Sequence, residues 1–156
     1  MSVADTAHNA TRMLCAVDHS EPSLRAANMA FGLAGKCKAE LTLLSVVRLP
    51  DASQHNIAEF LQHEHNSNPP SVAVVEAARI ELDLLRDRIA KQGDVPVTCE
   101  VRAGEPATEI IASAKDHATD MIVVGHRGRG RLIQMVLGSV ARKVVDSAPC
   151  PVLIVR

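Results

Sequence analysis

The residues with the clearest chemical potential lie in the stretch GHRGRGRLIQMVLGS, from Gly125 to Ser139, directly after the apolar run Met121 to Val124. Glycine has no Cβ, so its backbone N–H groups can approach a phosphate closely and its φ can be positive. Gly125 and Gly128 would let the chain turn sharply over a phosphate chain. Gly138 and Ser139 open the next expected helix, where unpaired N–H groups and a partial positive charge favour anions. Ser139 adds a hydroxyl as ligand and N-cap, while Arg127, Arg129 and Arg131 bring positive charge. The spacing describes a cradle with two sides, a glycine turn after a strand and the start of the following helix. A basic loop for nucleic acid and a loop without any ligand are the competing readings. No aromatic residue interleaves these arginines, which argues against base stacking and hence against nucleic acid.

Three phosphate-binding patterns nearly fit. Gly125-x4-Gly130 has the spacing of a Walker A loop, but Arg131-Leu132 stands where Lys-Ser/Thr is needed. Gly128-x-Gly130 begins a dinucleotide fingerprint, but Ile133 takes the place of the third glycine. A phosphate-accepting regulator of the same fold class would want an Asp at the end of the third strand, where Arg102-Ala103-Gly104 stands.

These residues need a scaffold. Met13 to Val17 is a short apolar run, as expected for a strand buried on both faces. Ser20 or Glu21 with Pro22 marks a helix start, and Gly35 a stop. Residues 40–47 form the second expected strand. The polar segment 51–70 includes a possible short helix from Asp51 to Gln62, with Ile57, Phe60 and Leu61 on one face. Ser71 is expected to cap a long helix carrying Val74, Val75, Ala78, Leu82, Leu85 and Ile89 on one side. Residues 95–101 are the third strand, placed at an edge by Pro96 and its alternating polar residues. A helix follows over about 107–117, then the strand 121–124. A helix over 139–147 is expected to bury Val140, Val144 and Val145, and the strand 152–155 closes the chain.

Alternating strands and helices predict a single-domain α/β fold, an open five-stranded parallel sheet with helices on both faces. A strand order of 3-2-1-4-5 would bring the loops after Asp18 and after Gly125 together, at the carboxyl ends where such sheets bind ligands. There Asp18 could accept a ribose hydroxyl or coordinate a nucleotide-bound metal; otherwise it caps a helix.

Composition narrows the partners. The chain has 156 residues, 47% of them hydrophobic, with two Phe, no Tyr and no Trp, so its core must be aliphatic. The formal net charge of −1 provides no global field for polyanions. No apolar run approaches the roughly 18 residues of a membrane span, and no membrane insertion is expected. The N-terminus shows no secretory signal, and residues 1–11 read as a flexible tail. Cys15, Cys37, Cys99 and Cys150 form no Cys-x-x-Cys pair, which suits reduced thiols in a cytoplasmic protein. His55, His63 and His65 lie in the polar segment and read as solvated rather than metal-binding. Leu132, Ile133, Met135 and Val136 read as core or dimer contacts.

The pattern Gly-x2-Gly-x9-Gly-Ser, carried by Gly125, Gly128, Gly138 and Ser139, resembles that of the universal stress protein family in its ATP-binding branch. Met13 to Asp18 followed by Ser20-Glu21, Ser45-Val46, Gly104-Glu105-Pro106 and the closing segment 147–155 are similar to the family's other segments. The resemblance implies a Rossmann-like, adenine nucleotide alpha hydrolase-like domain over 12–156. It implies that Ala16, Val17 and Asp18 lie against adenosine and Val46 against adenine. Gly125, Gly128, Gly138, Ser139 and Val140 would hold ribose and phosphates, with Arg127 and Arg129 nearby. It implies ATP as the ligand, with Mg or Mn, and a homodimer along the C-terminal strand 151–155. The expected role is a stress or signalling protein in which ATP acts as a conformational ligand. The alternatives are a slow ATPase or self-phosphorylating enzyme, and a nucleotide-free dimeric interaction module.

Overall fold

The computed structural model describes residues 10–48, 70–128 and 137–156. Five strands, β1 (Arg12–Ala16), β2 (Glu40–Val47), β3 (Val97–Ala103), β4 (Met121–Gly125) and β5 (Val152–Val155), alternate with four helices. These are α1 (Glu21–Cys37), α2 (Pro70–Ala90), α3 (Pro106–Asp116) and α4 (Ser139–Ser147). All strand pairs are parallel, and the order is β3-β2-β1-β4-β5, as expected.

The period-2 alternation of strand side chains divides the core into two layers. Met13, Cys15, Leu41, Leu43 and Val123 face α1 and α2, where Ala27, Phe31, Leu82 and Ile89 meet them. Leu14, Leu44, Ile122 and Val124 face α3 and α4, where Ile110, Ala114 and Val144 pack. Small residues on α1, Ala26, Ala27, Ala30 and Ala34, are almost fully buried. They let the helix sit close to a sheet that has no aromatic side chains to fill a wider gap.

Several local expectations are corrected. α1 does not stop at Gly35 but runs to Cys37, and Lys38 takes the left-handed cap conformation at φ 55°. Gly35 lies inside the helix, where a Cβ would meet Val95 Cγ2 at 3.4 Å, about ordinary van der Waals contact. α2 begins at Pro70, before Ser71. Val74 and Val145 are exposed, because the buried faces of their helices are set by Ala78, Leu82, Leu85 and Ile89, and by Ala141 and Val144. β3 lies at the sheet edge, as Pro96 suggested. The expected helix over 51–62, His55, His63, His65 and the apolar group 132–136 lie outside the described residues.

Candidate functional site

β1 and β4 are neighbours, with Met13 opposite Met121 and Cys15 opposite Val123. Both strands end at the same edge, so the turn after β1 meets the glycine turn after β4. Asp18 organises the first turn. Its Oδ1 accepts hydrogen bonds from Ser20 N–H at 3.0 Å and from the Ser20 hydroxyl. Ser20 is the N-cap of α1 and accepts from Ser23 N–H, while Ser23 Oγ donates to the Ser20 carbonyl and accepts from Asp18 N–H. Asp18 is thus not itself the cap; it fixes the residue that is. Between them His19 has φ 60°.

The second turn closes on itself. His126 N–H donates to the Val155 carbonyl at 2.8 Å, and the His126 carbonyl accepts from Gly138 N–H at 2.8 Å. The two described ends of the loop therefore meet. Gly138, not Ser139, is the N-cap of α4; Ser139 is the first helical residue and is exposed. The expectation of a Ser139 cap fails because Gly138 already has the extended cap geometry (φ −59°, ψ 152°), and its carbonyl accepts the first helical bond from Arg142 N–H. α1 and α4 both point their N-termini, with partial positive charge, toward this edge of the sheet.

A Cβ would collide at two of the motif glycines and be tightly placed at the third. A Cβ at Gly125 would lie 2.8 Å from the Pro22 carbonyl carbon and 2.9 Å from Ser23 N. At Gly128 it would lie 2.6 Å from Asp18 Oδ2, and at Gly138 it would lie 3.2 Å from Arg127 Cα and from the His126 carbonyl oxygen. Gly125 and Gly128 thus lie against the turn after β1, and Gly138 against the other side of the glycine turn. Two polar atoms in the glycine turn, His126 Nδ1 and Arg127 Nε, are buried with no hydrogen-bond partner among the described residues.

The remaining expected site residues divide by layer. Ala16 and Val46 are half-buried on the α3–α4 face, together with Val140 and Leu137. Val17 is buried on the opposite face, and its N–H donates to the Leu44 carbonyl. Arg129 lies outside the described residues. No group of three or more His, Cys, Asp or Glu capable of holding a metal occurs among the described residues. No described helix is long and apolar enough to cross a membrane. Sequence reasoning missed the His19 conformation, because Asp18-His19-Ser20 contains no glycine to mark a left-handed position. It also missed the anchoring of His126, which depends on β5.

These features define a doubly wound α/β protein whose glycine turn and aspartate turn stand together at the topological switch point. The chain belongs to the universal stress protein family, whose model matches residues 9–156. It is 36% identical over 146 residues to universal stress protein YxiE of Bacillus subtilis, covering 93% of this chain and 98% of that one. It is similar to the solved universal stress protein UspA from Lactobacillus plantarum, at 29% identity, TM-score 0.68, and coverage of 94% and 97%. It also shares the fold of a universal stress protein solved in complex with cAMP, at 23% identity, TM-score 0.68, and coverage of 94% and 97%.

Proposed function

We propose that this protein binds an adenine nucleotide, ATP with Mg or Mn, at the carboxyl ends of β1 and β4, and that ATP acts mainly as a conformational ligand in stress signalling. The observation that carries this reading is the placement of Gly125 and Gly128 against the Asp18–Ser23 turn, where a Cβ would collide, with Gly138 closing the other side of the glycine turn beside His126 and Arg127. Such bare backbone beside the N-terminus of α4 suits a phosphate chain. The buried Arg127 Nε and His126 Nδ1, which have no hydrogen-bond partner among the described residues, suit a polar ligand in the same place. The nucleotide carried by the cAMP-bound relative belongs to the same chemical class.

In this reading Ala16, Val17 and Val46 take the adenosine side, and Asp18 takes the sugar. Gly125, Gly128, Gly138, Ser139 and Val140 hold ribose and phosphates, with Arg127 and Arg129 offsetting charge. Bound ATP supplies a polyanion that links the glycine turn to the start of α4. The protein's own groups orient it through backbone N–H donors and leave the signal to conformation rather than turnover. We assign the homodimer contact to the edge strand β5, whose Val152, Leu153 and Ile154 are half-buried without a second strand neighbour among the described residues. The four free cysteines fit a reducing cytoplasm.

Thermal melting with and without millimolar ATP and Mg²⁺ tests the reading. A ligand at a hundredfold its Kd stabilises a fold by about 2.7 kcal/mol, so the melting temperature rises. An unchanged melting temperature would contradict nucleotide binding.

A further inference from the structure

His19 separates Asp18 from Ser20 and has a left-handed backbone, φ 60°. A residue with a Cβ seldom adopts this conformation; Gly is the usual occupant, and Asn, Asp and His are the most frequent of the others. Where a residue other than glycine holds it, the surrounding structure supports the conformation, and such positions gather at ligand sites. Here the ring is mostly buried, with 20% of the side chain exposed; its Nε2 makes no hydrogen bond among the described residues and faces Glu81 Oε2 at 3.5 Å, within ion-pair reach of a protonated ring. Glu81 belongs to α2, which is anchored in the core next to it by Leu82 and Leu85.

Hydrogen bonds among Asp18, Ser20 and Ser23 hold the turn after β1. Asp18 Oδ1 accepts from Ser20, and Asp18 N–H donates to Ser23 Oγ. Both of these stay within the turn and the first turn of α1. The His19 ring adds a contact outside the turn, with Glu81 on a helix from a different part of the chain. It lies on the same turn as the Asp18 carboxylate, whose Oδ2 would be 2.6 Å from a Cβ on Gly128.

We infer that His19, through Glu81, is a positioning residue for the nucleotide site: it holds the Asp18 turn at the angle at which the carboxylate meets the glycine turn. This rests on the nucleotide reading above. The contact also links α2 mechanically to the site, so that a displacement of α2 is felt at Asp18.

The test is a double-mutant cycle with His19→Gly, Glu81→Ala and the double variant. ATP affinity is measured by calorimetry, and melting is measured without nucleotide. Glycine accepts the left-handed backbone, so His19→Gly keeps the fold. Each single variant is expected to bind ATP roughly threefold to tenfold more weakly, and the double variant no more weakly than His19→Gly alone. The nucleotide-free melting temperature is expected to stay within about 3 °C of the parent. Parental affinity in both single variants, losses that simply add in the double variant, or affinity that falls only in step with melting temperature would each overturn the inference. Failure of the parent protein to bind ATP would instead overturn the nucleotide reading, and this inference with it.

Discussion

Asp18 and Gly128 touch across the seam between β1 and β4: a Cβ on Gly128 would lie 2.6 Å from Asp18 Oδ2. The two residues come from turns 110 positions apart, brought together by a single strand pairing. Asp18 cannot simply swing away, because its other oxygen is held by Ser20. Gly128→Ala therefore displaces the aspartate turn. The expected result is ATP binding weakened at least about tenfold, with a stability loss near 1 kcal/mol, since the clash falls on a side chain. Calorimetry and denaturant melts of the same variant separate the two effects.

Gly125→Ala should behave differently. Its Cβ would strike backbone atoms of Pro22 and Ser23 at 2.8 and 2.9 Å, which no side-chain rotation relieves. Overpacking of this kind costs about 2 kcal/mol or more. A fall in melting temperature of roughly 4–8 °C is expected even without nucleotide.

A polar network ties the edge strand β3 to α3. Glu100 accepts from Ser113 Oγ at 2.6 Å and from Arg102 Nε at 2.6 Å, and it meets His117 Nε2 at 3.0 Å. Burial pushes the Glu100 carboxyl up, but the hydrogen bonds from Ser113, Arg102 and His117 outweigh it and hold it below its ordinary value. A carboxyl lowered on folding contributes stability that is full above its unfolded value, about 4.3, and is lost as pH falls through its folded value. Melting temperatures from pH 7 down to pH 3 should therefore drop less steeply below about pH 4 in Glu100→Gln than in the parent. Parallel curves would show that the network contributes nothing to the acid limb.

The cysteines give a chemical check on the core. Burial raises the Cys15 thiol to about 12, and burial first, with Asp83 next, raises Cys99 to about 11. Cys37 is exposed. The thiolate is the reactive form, so a thiol reagent at pH 8 should label Cys37 rapidly and Cys15 only on unfolding. Rapid native labelling of Cys15 would contradict its place between the sheet and α1.

The scaffold of the site was legible in the sequence for a physical reason. Runs such as Met13 to Val17 and Met121 to Val124 are apolar at every position because both faces of a central parallel strand are covered. Pro96 and the polar alternation of residues 97–101 likewise marked β3 as an edge, where an absent N–H does little harm. Glycine spacing located the turn after β4, and Asp18 stood at the matching end of β1. What could not be read depends on contacts between distant segments. One helix stop was also misplaced: Gly35 looked like a terminator, but α1 runs on to Cys37 and Lys38 supplies the left-handed cap. Exposure of Val74 and Val145 follows from which helical face the sheet captures, a choice made by their neighbours. The left-handed His19, whose ring faces Glu81 of α2, is not announced by a glycine in its turn.

The most direct test of the central claim is a calorimetric titration of the parent protein with ATP in the presence of Mg²⁺, repeated with Gly128→Glu. The account predicts saturable binding with one ATP per chain in the parent and none in the variant, in which a carboxylate would occupy the glycine turn beside Asp18. Absence of binding in the parent, or equal binding in both proteins, would contradict the assignment of this turn as the nucleotide site.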